Sequence, residues 1–162
     1  MILILNNKSN LTYEEVKYYE KQLRKYNLIV LPAYCYLPLF KKGKYTVGSQ
    51  DISEFKELNR TGEINGKQLK SLNVKYSLIG HSERRLYNKE DNISIINKIE
   101  RCLENDIIPL YCIGDKEDSY DELIKQIDVI ENRFNDKEII YVYEPTNNIG
   151  NLSPNFDKIE DK

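Results

Sequence analysis

An α/β fold built on a parallel sheet is what this sequence predicts, and three observations predict it. Short, nearly continuous apolar runs recur at 2–5, 28–31, 45–48, 74–79, 107–112 and 139–143. Each has strand length, and unbroken hydrophobicity marks strands covered on both faces. Stretches with helical period lie between most of them, and no linker or low-complexity tract interrupts the alternation. Strand–helix alternation gives βαβ units, and right-handed crossovers leave an open doubly wound sheet or a β/α barrel. No G-x-G-x-x-G follows any strand, which counts against a dinucleotide fold. The chain, 1–162, reads as a single domain of six β/α steps.

The elements follow in order. The run 2–5 is apolar for only a few residues and lacks a basic leader, so it reads as a strand rather than a signal peptide. Thr12 and Glu15 have capping-box spacing ahead of Val16, Tyr19, Leu23 and Tyr26, a helical stripe. Weaker helices fit around 33–40 and 66–72. Asp91 is the expected N-cap of a helix whose stripe is Ile95, Ile99 and Cys102. Ser119 and Glu122 repeat the capping-box spacing before Leu123, Ile127, Ile130 and Phe134.

Composition narrows the function classes. The 162 residues carry 24 Lys+Arg against 26 Asp+Glu, a net charge of −2. No basic surplus is present to hold nucleic acid. The 40% apolar fraction excludes a disordered acidic tail. Cys35, Cys102 and Cys112 are odd in number and lack C-x-x-C spacing, so neither a disulfide framework nor a zinc ribbon is expected. A single His excludes a His-rich metal site. The apolar stretch 28–40 contains Pro32 and Pro38 and is too short to span a bilayer. A domain of the reducing cytoplasm is expected, with no metal, membrane or nucleic-acid partner.

In both candidate architectures ligands sit at the carboxyl ends of the strands. The first strand delivers Asn6, Asn7 and Lys8; the third, Ser49, Gln50 and Asp51. The fourth delivers Gly80, His81, Ser82, Glu83, Arg84 and Arg85; the fifth, Gly114 and Asp115; the sixth, Glu144 and a loop through Gly150. The only His, a carboxylate and a Lys thus converge on one rim. That set suits proton shuttling beside a carbonyl: the carboxylate removes a carbon-bound proton, the His polarises the carbonyl and the ammonium holds developing charge.

These residues resemble a known family. The segment 76–85, YSLIGHSERR, resembles the signature of triosephosphate isomerase, whose hallmark is G-H-S-E-R-R. In the same order Asn6-Asn7-Lys8 resembles the family's N-W-K, Thr61-Gly62-Glu63 its T-G-E, Tyr111-Cys112-Ile113-Gly114 its F-C-[IV]-G and Tyr143-Glu144-Pro145 its Y-E-P. The resemblance implies a β/α barrel and an isomerase of glycolysis and gluconeogenesis acting on a phosphorylated triose without cofactor. It implies Glu144 as the base and a neutral His81 as the electrophile, the following helix N-terminus disfavouring added positive charge. Lys8 would bind phosphate and enediolate, Asn6 a substrate oxygen, and Gly150 the phosphate through its backbone N–H. Glu83 and Ser82 would support the site, Ser82 near the resting carboxylate, with Arg84, Arg85 and Cys112 structural.

The sequence also departs from the family pattern. The lid reads Pro-Thr-Asn-Asn-Ile-Gly-Asn-Leu at 145–152, against the family's usual P-V-W-A-I-G-T-G, and Asn7 and Ser9 replace Trp and Met beside Lys8. Six β/α units are two short of a barrel, so an incomplete barrel is expected, lacking the last two phosphate loops. Little isomerase activity is then expected of the isolated chain. The alternative is an N-terminal fragment, or a truncated, catalytically inactive homologue serving as a binding or interaction module. Apolar edge strands and the family's dimer-forming third loop, here 51–62, predict a homodimer.

Overall fold

A computed structural model describes residues 2–114 and 119–144. Six strands alternate with helices: β1 Ile4–Asn6, α1 Tyr13–Leu23, β2 Ile29–Leu31, a 3₁₀ helix Tyr34–Leu39, β3 Thr46–Ser49 and α2 Gly66–Ser71. Then come β4 Tyr76–Ile79, α3 Ser82–Tyr87, α4 Asn92–Leu103, β5 Ile108–Ile113, α5 Tyr120–Phe134 and β6 Ile140–Tyr143. All six expected strands form, each beginning one or two residues later than expected. Ile2 and Leu3 are exposed, and β1 begins only at Ile4, opposite Ile29.

Every strand pair is parallel and the spatial order is the chain order, β1-β2-β3-β4-β5-β6. A doubly wound sheet reverses its order at a switch point and carries helices on both faces. Here the core divides differently. Val30, Val47, Ile79 and Tyr111 pack with helix residues such as Val16, Ile95, Ile99 and Ile130 in one cluster. Ile29, Leu31, Leu78, Leu110 and Cys112 form a second cluster made of strand residues alone, flanked by Ile4, Tyr76, Ile140 and Val142. Helices therefore cover one face while the other is buried by its own strands, the layering of a barrel interior. The fold is a β/α barrel wall of six units.

Burial grades across that wall. β5 is buried from Pro109 to Ile113, whereas β1 and β6 are half-buried throughout, because among the described residues each pairs on one side only. The expectation of strands covered on both faces holds for the centre and fails at these edges.

The helix starts follow local chemistry. The Glu15 carboxylate accepts from the Thr12 backbone N–H at 2.8 Å and from its hydroxyl at 2.6 Å. Asp91 accepts from the Ser94 N–H at 2.8 Å, and Asn65 and Gln68 bond reciprocally at 3.0 Å to open α2. The 33–40 helix is a 3₁₀ turn because Pro38 cannot donate within it. Tyr26 lies past α1 and is exposed, so it leaves the predicted stripe. Glu20 instead is 3% exposed, satisfied by Arg24 and by the Tyr45 hydroxyl.

Candidate active site

Parallel strands in one sheet place their carboxyl ends on one rim, and each candidate side chain enters there by a definable local device. After β1, the Asn6 side-chain oxygen Oδ1 accepts from the Lys8 backbone N–H at 3.0 Å, and Lys8 turns into the left-handed region at φ +49°. The Gln50 amide holds this turn by donating to the carbonyls of Lys8 and Leu31, each at 2.9 Å. The Lys8 ammonium then meets the Glu83 carboxylate at 2.6 Å.

After β4, Gly80 takes φ +70°, a conformation costly for other residues, and its carbonyl accepts from Arg85 Nε at 2.8 Å. This turn makes His81 the N-cap of α3. Its Nδ1 accepts from the Glu83 N–H at 3.2 Å, so that nitrogen carries no proton. The Glu83 carboxylate lies 3.7 Å from Nδ1, too far to compete. The proton is therefore assigned to Nε2, which donates to Glu144 Oε1 at 2.9 Å. The second oxygen, Oε2, accepts from the Ser82 backbone N–H at 3.2 Å. The Ser82 hydroxyl oxygen is buried and finds no partner among the described residues.

Glu144 follows β6 directly and continues the ladder, its N–H donating to the Ile113 carbonyl at 2.8 Å. The chain passes so close to Gly114 that a Cβ there would stand 2.2 Å from the Glu144 carbonyl oxygen. At φ +138° only glycine suits this position in any case. Burial pushes the Glu144 carboxyl up. The hydrogen bond from His81, the Ser82 N–H and the Cys112 thiol more than offset this, holding it below the ordinary carboxylate range. The Cys112 thiol is pushed up in turn, by burial first and by Glu144 second.

Beneath α3 lies a charged cluster. Lys98, 4% exposed, holds Asp51 at 2.7 Å and Glu90 at 2.5 Å, while Arg84 reaches Asp51 at 2.8 Å and Glu90 at 2.7 Å. Burial raises the Asp51 carboxyl, against the pull of Lys98 and Arg84. The cluster ties the exit of β3 to α3, the helix that presents His81 and Ser82.

Of the residues expected from the sequence, Asn6, Lys8, His81, Ser82, Glu83 and Glu144 form one connected set. Gly150, with the lid segment and Asp115, lies outside the described residues. Arg84 and Arg85 have the structural parts expected of them. Sequence reasoning placed Gln50 and Asp51 on the rim without giving either a role, and it missed the thiol contact of Cys112 and the pairing of Asp51 and Glu90 with Lys98. For Gln50 the one available signal is its place at the end of β3.

The arrangement can move a proton on the carboxylate while Nε2–H supports an oxygen anion. The family model for triosephosphate isomerase matches residues 1–159. A triosephosphate isomerase of Mesomycoplasma hyopneumoniae (strain 232) is 32% identical over 170 residues, covering 92% of this chain and 70% of that protein. One from Orientia tsutsugamushi (strain Boryong) is 40% identical over 124 residues, 71% of this chain and 49% of that protein. One from Mesomycoplasma hyorhinis is 38% identical over 114 residues, 66% and 46%. With a six-unit barrel wall, a paired imidazole and carboxylate on its rim and a match along nearly its whole length, this chain belongs to the triosephosphate isomerase family.

Proposed function

We propose that this chain supplies the acid–base machinery for interconverting dihydroxyacetone phosphate and glyceraldehyde 3-phosphate, with no metal or cofactor. Glu144 takes a proton from the carbon beside the carbonyl. That C–H electron pair becomes the carbon–carbon double bond of an enediolate, and the carbonyl oxygen becomes the oxyanion. His81 Nε2–H and the Lys8 ammonium meet the oxyanion, and Asn6 offers its amide NH₂ to a substrate oxygen. The hydroxyl proton of the neighbouring oxygen passes to this oxyanion, and return of the carbon-bound proton to the carbon that bore the carbonyl completes the ketose–aldose exchange. The observation that carries this reading is the 2.9 Å contact between His81 Nε2 and Glu144, with Nδ1 committed as an acceptor.

The same geometry gives the base its strength. In the resting site His81 and Ser82 hold the carboxyl low. A substrate oxygen that takes over the His81 donor removes part of that stabilisation and leaves burial, which raises proton affinity. Glu83, paired with Lys8 and placed beside His81, keeps both in position. Gly150 would complete the phosphate contacts from its backbone N–H.

We further propose a homodimer in the cytoplasm, in glycolysis and gluconeogenesis. Loop 51–62 supports the dimer: Leu58 is exposed, and Arg60 stacks on Phe55 at 3.8 Å beside a cavity of about 270 Å³. The test is a coupled isomerase assay with titration of 2-phosphoglycolate, an enediolate mimic, and the mass in solution by light scattering. Turnover that 2-phosphoglycolate inhibits supports the reading. Absence of both turnover and inhibitor binding, also when two further β/α units are supplied as a separate chain, overturns it.

A further inference from the structure

We propose a second binding site, at the end of the sheet opposite the active site, for an amphipathic organic anion: a flat apolar body bearing one carboxylate, sulfonate or phosphate. The site is a cavity of about 600 Å³ at the amino ends of β3 and β4, between the 3₁₀ helix and the end of α2. That volume lies in the range of small-molecule pockets, which pair apolar walls with a few placed charges. Phe40, Tyr45, Val47 and Leu72 supply the apolar wall, and Lys41 and Lys75 line it as well.

Charge selects the ligand. Among the described residues, no Asp or Glu lines this cavity. Five other lysines among the described residues find carboxylates: Lys8 with Glu83, Lys17 with Glu14, Lys70 with Asp106, Lys98 with Asp51 and Lys125 with Glu122. Lys41 and Lys75 side chains form no ion pair or hydrogen bond among the described residues, and both are exposed. Glu20 is engaged by Arg24 and the Tyr45 hydroxyl, and Asp106 by Lys70, with Lys75 adding only a weaker Coulombic pull on Asp106. Two unpaired ammonium groups over an apolar wall attract an anion with an apolar body and discriminate against both a neutral arene and a bare inorganic ion. The cavity sits at the central strands β3 and β4. This inference does not rest on the proposed isomerase reaction.

The probe is 8-anilino-1-naphthalenesulfonate, with uncharged N-phenyl-1-naphthylamine and inorganic phosphate as the two comparison ligands. Binding is followed by fluorescence and by the methyl NMR signals of Val47 and Leu72. The sulfonate is expected to shift those methyls and to bind at least tenfold more tightly than either comparison ligand. Lys41→Gln and Lys75→Gln should each weaken it about two- to fivefold, the worth of an exposed charge pair, and the double variant by the product. Because both lysines are exposed and unpaired, these variants should leave folding and 2-phosphoglycolate affinity unchanged. Equal binding of the neutral naphthylamine, equal binding by the double variant, or methyl shifts elsewhere without Val47 and Leu72 would each overturn the proposal.

Discussion

Glu144 is held by two donors from one turn, His81 Nε2 and the Ser82 N–H, at 2.9 and 3.2 Å. A carboxylate fixed this closely has little tolerance for displacement. Glu144→Asp withdraws it by roughly 1 Å, an error that costs about 100-fold when reacting groups are otherwise aligned. The expected result is a fall in kcat of that order with a much smaller change in 2-phosphoglycolate affinity, read from the coupled assay and from titration. The imidazole makes a separate prediction. With Nδ1 accepting from the Glu83 N–H, the ¹⁵N spectrum of His81 near neutral pH should show a protonated Nε2 and a bare Nδ1. Signals from a doubly protonated ring would remove the neutral electrophile from the mechanism.

At the scale of elements, the helices owe their boundaries to caps and their positions to buried charge. The Asp91 side chain satisfies the Ser94 N–H at the start of α4. Asp91→Ala should therefore cost about 1 kcal/mol, read as a lower urea midpoint with an unchanged slope. Lys98 is a different case. It is the buried partner of two carboxylates, and Lys98→Met leaves Asp51 and Glu90 in the interior with Arg84 alone. Removing one member of a buried ionic cluster costs about 3–5 kcal/mol. The same change at Lys17, whose pair with Glu14 is exposed, should stay within about 1 kcal/mol. Equal effects at the two sites would mean that the cluster is not buried as described.

For the whole molecule, the sheet should be most stable at its centre. Leu110 is fully buried in β5 between two partner strands, while Ile140, its register partner in β6, is half-buried at an edge. Leu110→Ala should cost about 2–5 kcal/mol, the usual range for a buried leucine, and Ile140→Ala clearly less. Amide hydrogen exchange should follow the same order, slowest in β4 and β5 and faster in β1. Uniform protection across all six strands would contradict a wall whose edges are less buried than its centre.

The sequence by itself determined the six strands, the helix starts at Thr12 and Asp91 and the rim residues Asn6, Lys8, His81 and Glu144. Apolar runs, cap spacing and the carboxyl ends of strands are local features, and each is visible within a few residues. Periodicity alone left the doubly wound sheet and the barrel open and the family resemblance implied the barrel; strand order and the strand-only inner cluster, which depend on which segments meet, show it. Only the tertiary structure buried Glu20 and Lys98, placed the Cys112 thiol against Glu144 and aimed Gln50 at the Lys8 turn. Lys98 and Asp51 stand 47 residues apart, and Gln50 and Lys8 stand 42 apart. A charged side chain on a helix has the same local pattern whether its partner is water or a carboxylate brought from a distant loop, so its burial becomes readable only after the chain has closed around it.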